Sequence, residues 1–255
     1  MRTLVCDGTG AAPGRNSDVV MRFAQHLEKK HGIKYEIVEY PAKYIIGGMS
    51  YRASVDAGKK ALRAAIDKYA DETLILVGFS QGCTVVGDVL REDSPKNCIG
   101  ALIADPHRPE NSPAATFGAD GNPTWANVPN SGIGGAKFIK NNKVFYAANE
   151  KDMITAASRD SLWRTFADVT EWLGPNLNRT FTDLSVKLTK QLFQNWGAFT
   201  FVTLLPRIAI AEKELYGYSK GGEHNAAYVR GEYGLVERLA DAVSWYIRQE
   251  GLIEA

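Results

Sequence analysis

The sequence predicts an α/β fold: a central parallel sheet of about five strands flanked by helices, with a helical insertion late in the chain. Three observations predict it. Short β-type runs alternate with amphipathic helical patterns through the first half. Two of those runs, residues 73–77 and 99–104, are nearly continuous apolar stretches, as strands buried on both faces are. After Asp152 the strand signals stop and helical patterns rich in aromatic residues take over.

The first run, Leu4-Val5-Cys6, is closed by the turn Asp7-Gly8-Thr9-Gly10. A helix follows with Val19, Val20, Phe23 and Leu27 on one face, Asn16 or Ser17 as its cap and Gly32 at its end. Residues 35–40 alternate like a strand. A second helix from about Ser54 carries Val55, Leu62, Ala65, Ile66 and Tyr69 at helical spacing, and Gly58 on that face would allow close packing. The run 73–77 leads into Gly78-Phe79-Ser80-Gln81-Gly82 and a third helix reaching about Leu90. Two further strands, 99–104 and 143–147, enclose a Gly/Pro/Asn-rich stretch from Pro106 to about Gly135, read as one long loop. Beyond Asp152, helical pieces are expected over 161–172, 181–193 and from about 199 to 216. The last helix places Leu235, Leu239, Val243 and Tyr246 on one stripe. The expected division is a core of residues 1–154 and 222–255 with an insertion of residues 155–221.

Composition excludes several classes. The 255 residues carry a net charge of +1, with 45% hydrophobic and 23% charged residues, and Lys and Arg are scattered among acids. Capture of nucleic acid or of an anionic membrane is therefore not expected. No signal peptide is visible, and the longest apolar stretch, 198–205, is too short to span a bilayer. Three cysteines (Cys6, Cys83, Cys98) without close pairing are expected to be buried free thiols, and neither metal nor cofactor is called for.

The chemistry centres on the Gly-x-Ser-x-Gly at 78–82. A serine at a strand-to-helix turn projects its hydroxyl outward from a strained backbone, and the flanking glycines Gly78 and Gly82 relieve crowding there. Ser80 is the candidate nucleophile. The helix after it directs its N-terminus at the site, so the Gln81 amide is one candidate oxyanion donor and Thr9, on the turn after strand one, is the other. Of four histidines, His26 and His31 fall in or just after the first helix and are expected at the surface. His107 could line a cleft, but it precedes the candidate acid. His224, in Gly221-Gly222-Glu223-His224 before the last helix, comes last in chain order and is the candidate base. Asp152, shortly after strand 143–147, is the candidate acid, with Asp105 and Glu150 as alternatives. Spacing and periodicity by themselves support a serine hydrolase.

The motifs Cys6-Asp7-Gly8-Thr9-Gly10, Gly78-Phe79-Ser80-Gln81-Gly82, Asp105-Pro106-His107-Arg108, Asp152-Met153 and Gly222-Glu223-His224 resemble those of the cutinase-like serine esterases. Within these the chain is most similar to the lysin B family, the mycolylarabinogalactan esterases of mycobacteriophages, because of the long interval between Asp152 and His224. The resemblance implies an α/β-hydrolase fold and a Ser-Asp-His triad. It implies hydrolysis of the ester joining mycolic acids to arabinogalactan in a mycobacterial-type wall. It further implies a monomer made in the host cytoplasm that acts at the host envelope after lysis begins. Position 7 is Asp where that family often has His, a change expected to alter access to the site without touching the amide donors. A general cutinase- or lipase-like carboxylesterase, and a catalytically silent wall- or lipid-binding module, are the alternative readings.

Overall fold

The computed structural model describes residues 1–44, 49–161, 163–164, 167, 209–210, 212–218 and 220–253. In chain order the elements are β1 (Arg2–Cys6), α1 (Asp18–His31), β2 (Lys34–Ile37), α2 (Tyr51–Lys68), β3 (Leu74–Phe79), α3 (Gln81–Asp93), β4 (Cys98–Ile103), β5 (Ser112–Phe117), β6 (Pro123–Val128) and β7 (Lys143–Ala147). They are followed by a single helical turn α4 (Met153–Ala156), a 3₁₀ turn at Ala226–Val229 and the last helix α5 (Leu235–Gln249).

One sheet runs β2-β1-β3-β4-β7-β5-β6. The five strands foreseen, β2 to β7 in that order, are all parallel. Among the described residues the sheet has seven strands where about five were expected, and it is mixed rather than wholly parallel. The two further strands come from the stretch read as a loop. β5 joins β7 in parallel through Ala114 and Ala115, and β6 returns antiparallel along β5.

Side chains alternate across the sheet, and both faces are covered. Val5, Ile75, Val77 and Ile103 pack with Val20, Phe23 and Leu27 of α1 and with Leu235, Leu239 and Val243 of α5. Leu4, Cys6, Leu76 and Leu102 pack with Val55 and Leu62 of α2 and with Val85, Val86 and Val89 of α3. This double burial is why β3 and β4 read as unbroken apolar runs. Gly58 is where α2 approaches α3: a methyl group there would lie 2.7 Å from Val85 Cγ2.

Helix ends follow local chemistry. Gly32 closes α1 in the left-handed region at φ 66°. The Ser50 hydroxyl accepts from Ala53 N–H at 3.1 Å and starts α2. Of the insertion expected over 155–221, residues 155–156, 163–164, 167, 209–210 and 212–218 are described as helical. The piece expected over 181–193, together with Phe166, Trp172, Trp196, Phe199 and Phe201, lies outside the described residues. Among the described residues no helix is long and apolar enough to cross a membrane.

Candidate active site

β3 ends at Phe79 and α3 begins at Gln81, so the whole turn between strand and helix is Ser80, with φ 52° and ψ −115°. A non-glycine residue held there is strained, and the surroundings enforce it. Gly82 lies against β1: a Cβ on it would come within 2.0 Å of the Cys6 carbonyl oxygen. A Cβ on Gly78 would come within 2.6 Å of the Gly82 oxygen. Strand, turn and helix can therefore meet at this distance only with glycine at both positions, which leaves Ser80 projecting at the carboxyl end of the sheet.

The structure brings the three candidates together from separate elements. His224 Nε2 lies 3.0 Å from Ser80 Oγ, and His224 Nδ1 lies 2.9 Å from Asp152 Oδ2. Asp152 follows β7 and caps α4, accepting from Ile154 N–H on Oδ1 at 3.0 Å. Its side chain is fully buried and His224 is 5% exposed. Since a carboxylate only accepts, the imidazole proton sits on Nδ1 and the lone pair of Nε2 faces the serine. Phe79 stacks on the imidazole at 5.0 Å between centroids, and Tyr218 lies tilted against it at the same separation.

Sequence reasoning missed Tyr228. Its hydroxyl donates to Asp152 Oδ2 at 2.9 Å and accepts from Asn149 N–H at 3.1 Å, so the carboxylate is fixed by a second donor besides the histidine. The signal available was a tyrosine four residues beyond the base, too common a pattern to be read alone. Asn149 in turn donates to the Glu223 carbonyl at 3.0 Å and to its carboxylate at 2.7 Å, tying the acid loop to the base loop.

Thr9 and Gln81 border the same cavity as Ser80. Their loops are fastened from behind. The Asp7 carboxylate accepts from Gly8 N–H at 2.7 Å, from Ser17 N–H at 2.5 Å and from the Ser17 hydroxyl at 2.7 Å. Asp7 is 3% exposed, so it anchors the β1 turn to the start of α1 and does not stand at the mouth of the site as the sequence suggested. The Gln81 amide side chain donates to the Lys43 carbonyl at 2.8 Å.

The cavity measures about 370 Å³. Its wall combines aliphatic and aromatic groups, among them Ile133, Met153, Ile154 and Trp163, with the polar groups of Tyr51, His107 and Lys137. Asp105, the alternative acid, is turned away: it is 2% exposed and accepts from His107 N–H at 2.9 Å, and its burial pushes its pKa up. Glu150, the other alternative, is exposed. His26 bonds to Asp241 at 2.9 Å and is half-buried, less open than expected. The three cysteines are free and buried, and burial raises the thiol pKa of each, which removes them as nucleophiles at neutral pH.

A family model described as the PE-PPE domain matches residues 30–132. No curated protein matches the chain. Among solved structures, lysin B from Mycobacteriophage D29 superposes with a TM-score of 0.57 at 16% identity, covering 97% of this chain and 98% of that one. The chain shares the α/β-hydrolase fold of lysin B. The resemblance read from the motifs thus extends to the architecture of nearly the whole chain. The catalytic core of acetyl xylan esterase from Trichoderma reesei matches at 18% identity with a TM-score of 0.48, over 68% of this chain and 96% of that one. A cutinase-like protein from Cryptococcus sp. matches at 14% identity with a TM-score of 0.42, over 60% and 78%. In the α/β-hydrolase fold the serine elbow follows a central strand and the histidine comes last in the chain, the order in which Ser80, Asp152 and His224 occur here.

Proposed function

We propose that this protein is a serine carboxylic-ester hydrolase whose substrate is the ester linking mycolic acids to arabinogalactan in a mycobacterial-type cell wall. The observation that carries the hydrolase reading is the hydrogen-bonded line Ser80–His224–Asp152 at the edge of a partly apolar cavity. The wall substrate is supported by the motif resemblance to the lysin B family and by the lysin B fold.

In this mechanism His224 Nε2 takes the Ser80 proton as Oγ attacks the ester carbonyl, and the imidazolium that forms is held by Asp152. The Thr9 and Gln81 amides, the latter at the N-terminus of α3, stabilise the oxyanion. His224 returns the proton to the alcohol oxygen, the C–O bond breaks and the acyl group stays on Ser80. Water, deprotonated by His224, then attacks the acyl-enzyme, releases the acid and restores Ser80. Tyr228 positions Asp152 throughout. In a phage, such an enzyme is made in the host cytoplasm and detaches the lipid layer of the envelope once lysis has begun.

The test is release of free mycolic acid from purified mycolylarabinogalactan-peptidoglycan by the native protein and by Ser80→Ala, with a short p-nitrophenyl ester as activity control. Release that disappears with Ser80→Ala is the expected result. Turnover of the short ester without mycolate release would keep the esterase and discard the wall substrate.

A further inference from the structure

The cavity beside Ser80 contains a cationic group that the mechanism does not use. Lys137 lines the wall, half-buried, with its Nζ 3.2 Å from His107 Nε2. His107 is 7% exposed, and its Nδ1 faces two carbonyl oxygens, Gly134 at 3.0 Å and Gly135 at 3.2 Å. Carbonyls only accept, so the proton sits on Nδ1 and the lone pair of Nε2 receives a Lys137 N–H. Burial, followed by the opposing influence of Asp105 and then the Lys137 charge, leaves the His107 pKa below the usual imidazole range. A neutral imidazole thus holds the ammonium in place without cancelling its charge. Asp105, the carboxylate beside His107, accepts from the His107 backbone N–H at 2.9 Å.

We propose that Lys137, positioned by His107, is a recognition site for a hydrogen-bond-accepting oxygen that the substrate carries away from its scissile ester. An ammonium has three donors, and His107 takes one of them. The remaining two match an acceptor such as a hydroxyl or carboxylate oxygen. A plain alkyl chain filling this cavity would strip water from the ammonium and return nothing, whereas an oxygenated chain restores a charge-assisted bond. The site therefore selects oxygenated over unsubstituted acyl chains, which adds a substrate class to the esterase reading on which it rests.

The experiment compares kcat/KM for p-nitrophenyl octanoate with that for matched esters bearing a hydroxyl at carbon 3, 5 or 7, or a terminal carboxylate. The native protein is expected to prefer at least one oxygenated ester about tenfold, on the order of one charge-assisted hydrogen bond, and in Lys137→Met that ratio is expected to fall to about one. A best substrate with a hydroxyl identifies a neutral ligand oxygen, and a best substrate with a carboxylate an anionic one. Ratios near one in the native protein, or a preference that survives Lys137→Met, would overturn the proposal.

Failure of the esterase reading looks different, with no ester turned over. Calorimetric binding of methyl hydroxyoctanoates and methyl octanoate to Ser80→Ala then decides the site. A similar preference that vanishes in the Ser80→Ala/Lys137→Met double variant sustains it, and equal binding overturns it.

Discussion

The turn at 78–82 and the excursion from Pro106 to Gly135 both help to build the site, and they are held in opposite ways. The turn is fixed by contact at close range. Gly78 and Gly82 are pressed between β1, β3 and α3 so tightly that a single methyl group on either has no place. The excursion is held by arginines that reach across it: Arg164 donates to the carbonyls of Gly132 at 2.7 Å and Ser131 at 3.0 Å, and Arg108 does more. The fully buried Arg108 donates to the carbonyls of Pro109 at 2.9 Å, Val128 at 3.2 Å and Thr155 at 3.0 Å, and also to that of Asn130. It thereby joins β6, the loop after it and the helical turn that follows Asp152. Sterics of neighbouring residues made the first region; long-range hydrogen bonds made the second.

Three substitutions would break or sharpen that contrast. The largest effect is expected from Gly82→Ala, whose Cβ would collide with the Cys6 backbone. Destabilisation of about 4 kcal/mol with loss of activity is expected, measured by denaturant unfolding. A fully stable, active Gly82→Ala would mean that the turn is not close-packed. Arg108→Met keeps the side-chain bulk but strands several buried carbonyls, at a cost of about 3 kcal/mol. Because Arg108 bonds to none of Ser80, Asp152 and His224, labelling at Ser80 is expected to persist at temperatures where Arg108→Met is still folded. If Arg108→Met were neutral, the excursion would be held by something else.

The smallest effect concerns His107. Its folded pKa lies below the unfolded value, so the unfolded chain binds more protons between those two values, and stability is lost as pH falls through that window. His31, also lowered chiefly by burial, acts with the same sign. Buried Asp105 acts oppositely: with its pKa raised, stability falls as pH rises between the unfolded value and the folded one. His107→Gln is therefore expected to make the acid-side decline of Tm shallower without abolishing it. An unchanged slope would show that His107 does not contribute.

The same contrast explains what could be read from the sequence. The elbow was legible because its requirements are local: an apolar run, a serine and two glycines within five residues. His224 and Asp152 were legible through chain order, and the structure places them 72 residues apart in sequence but 2.9 Å apart in space. β5 and β6 were not legible. Their buried positions are mainly Ala114, Ala115 and Thr116, small side chains with little hydrophobic signal, and Pro113 and Pro123 at their ends read as loop. Arg108 and Tyr228 were invisible for another reason: the partners of each lie up to dozens of residues away, and nothing in the local pattern names them.

The central claim, that Ser80 is activated by His224, is tested most directly by fluorophosphonate labelling with the adduct located by peptide mass spectrometry. A single adduct on Ser80, formed about 100-fold or more slowly in His224→Ala, is the predicted result. An adduct elsewhere, or labelling of His224→Ala at the native rate, would contradict it.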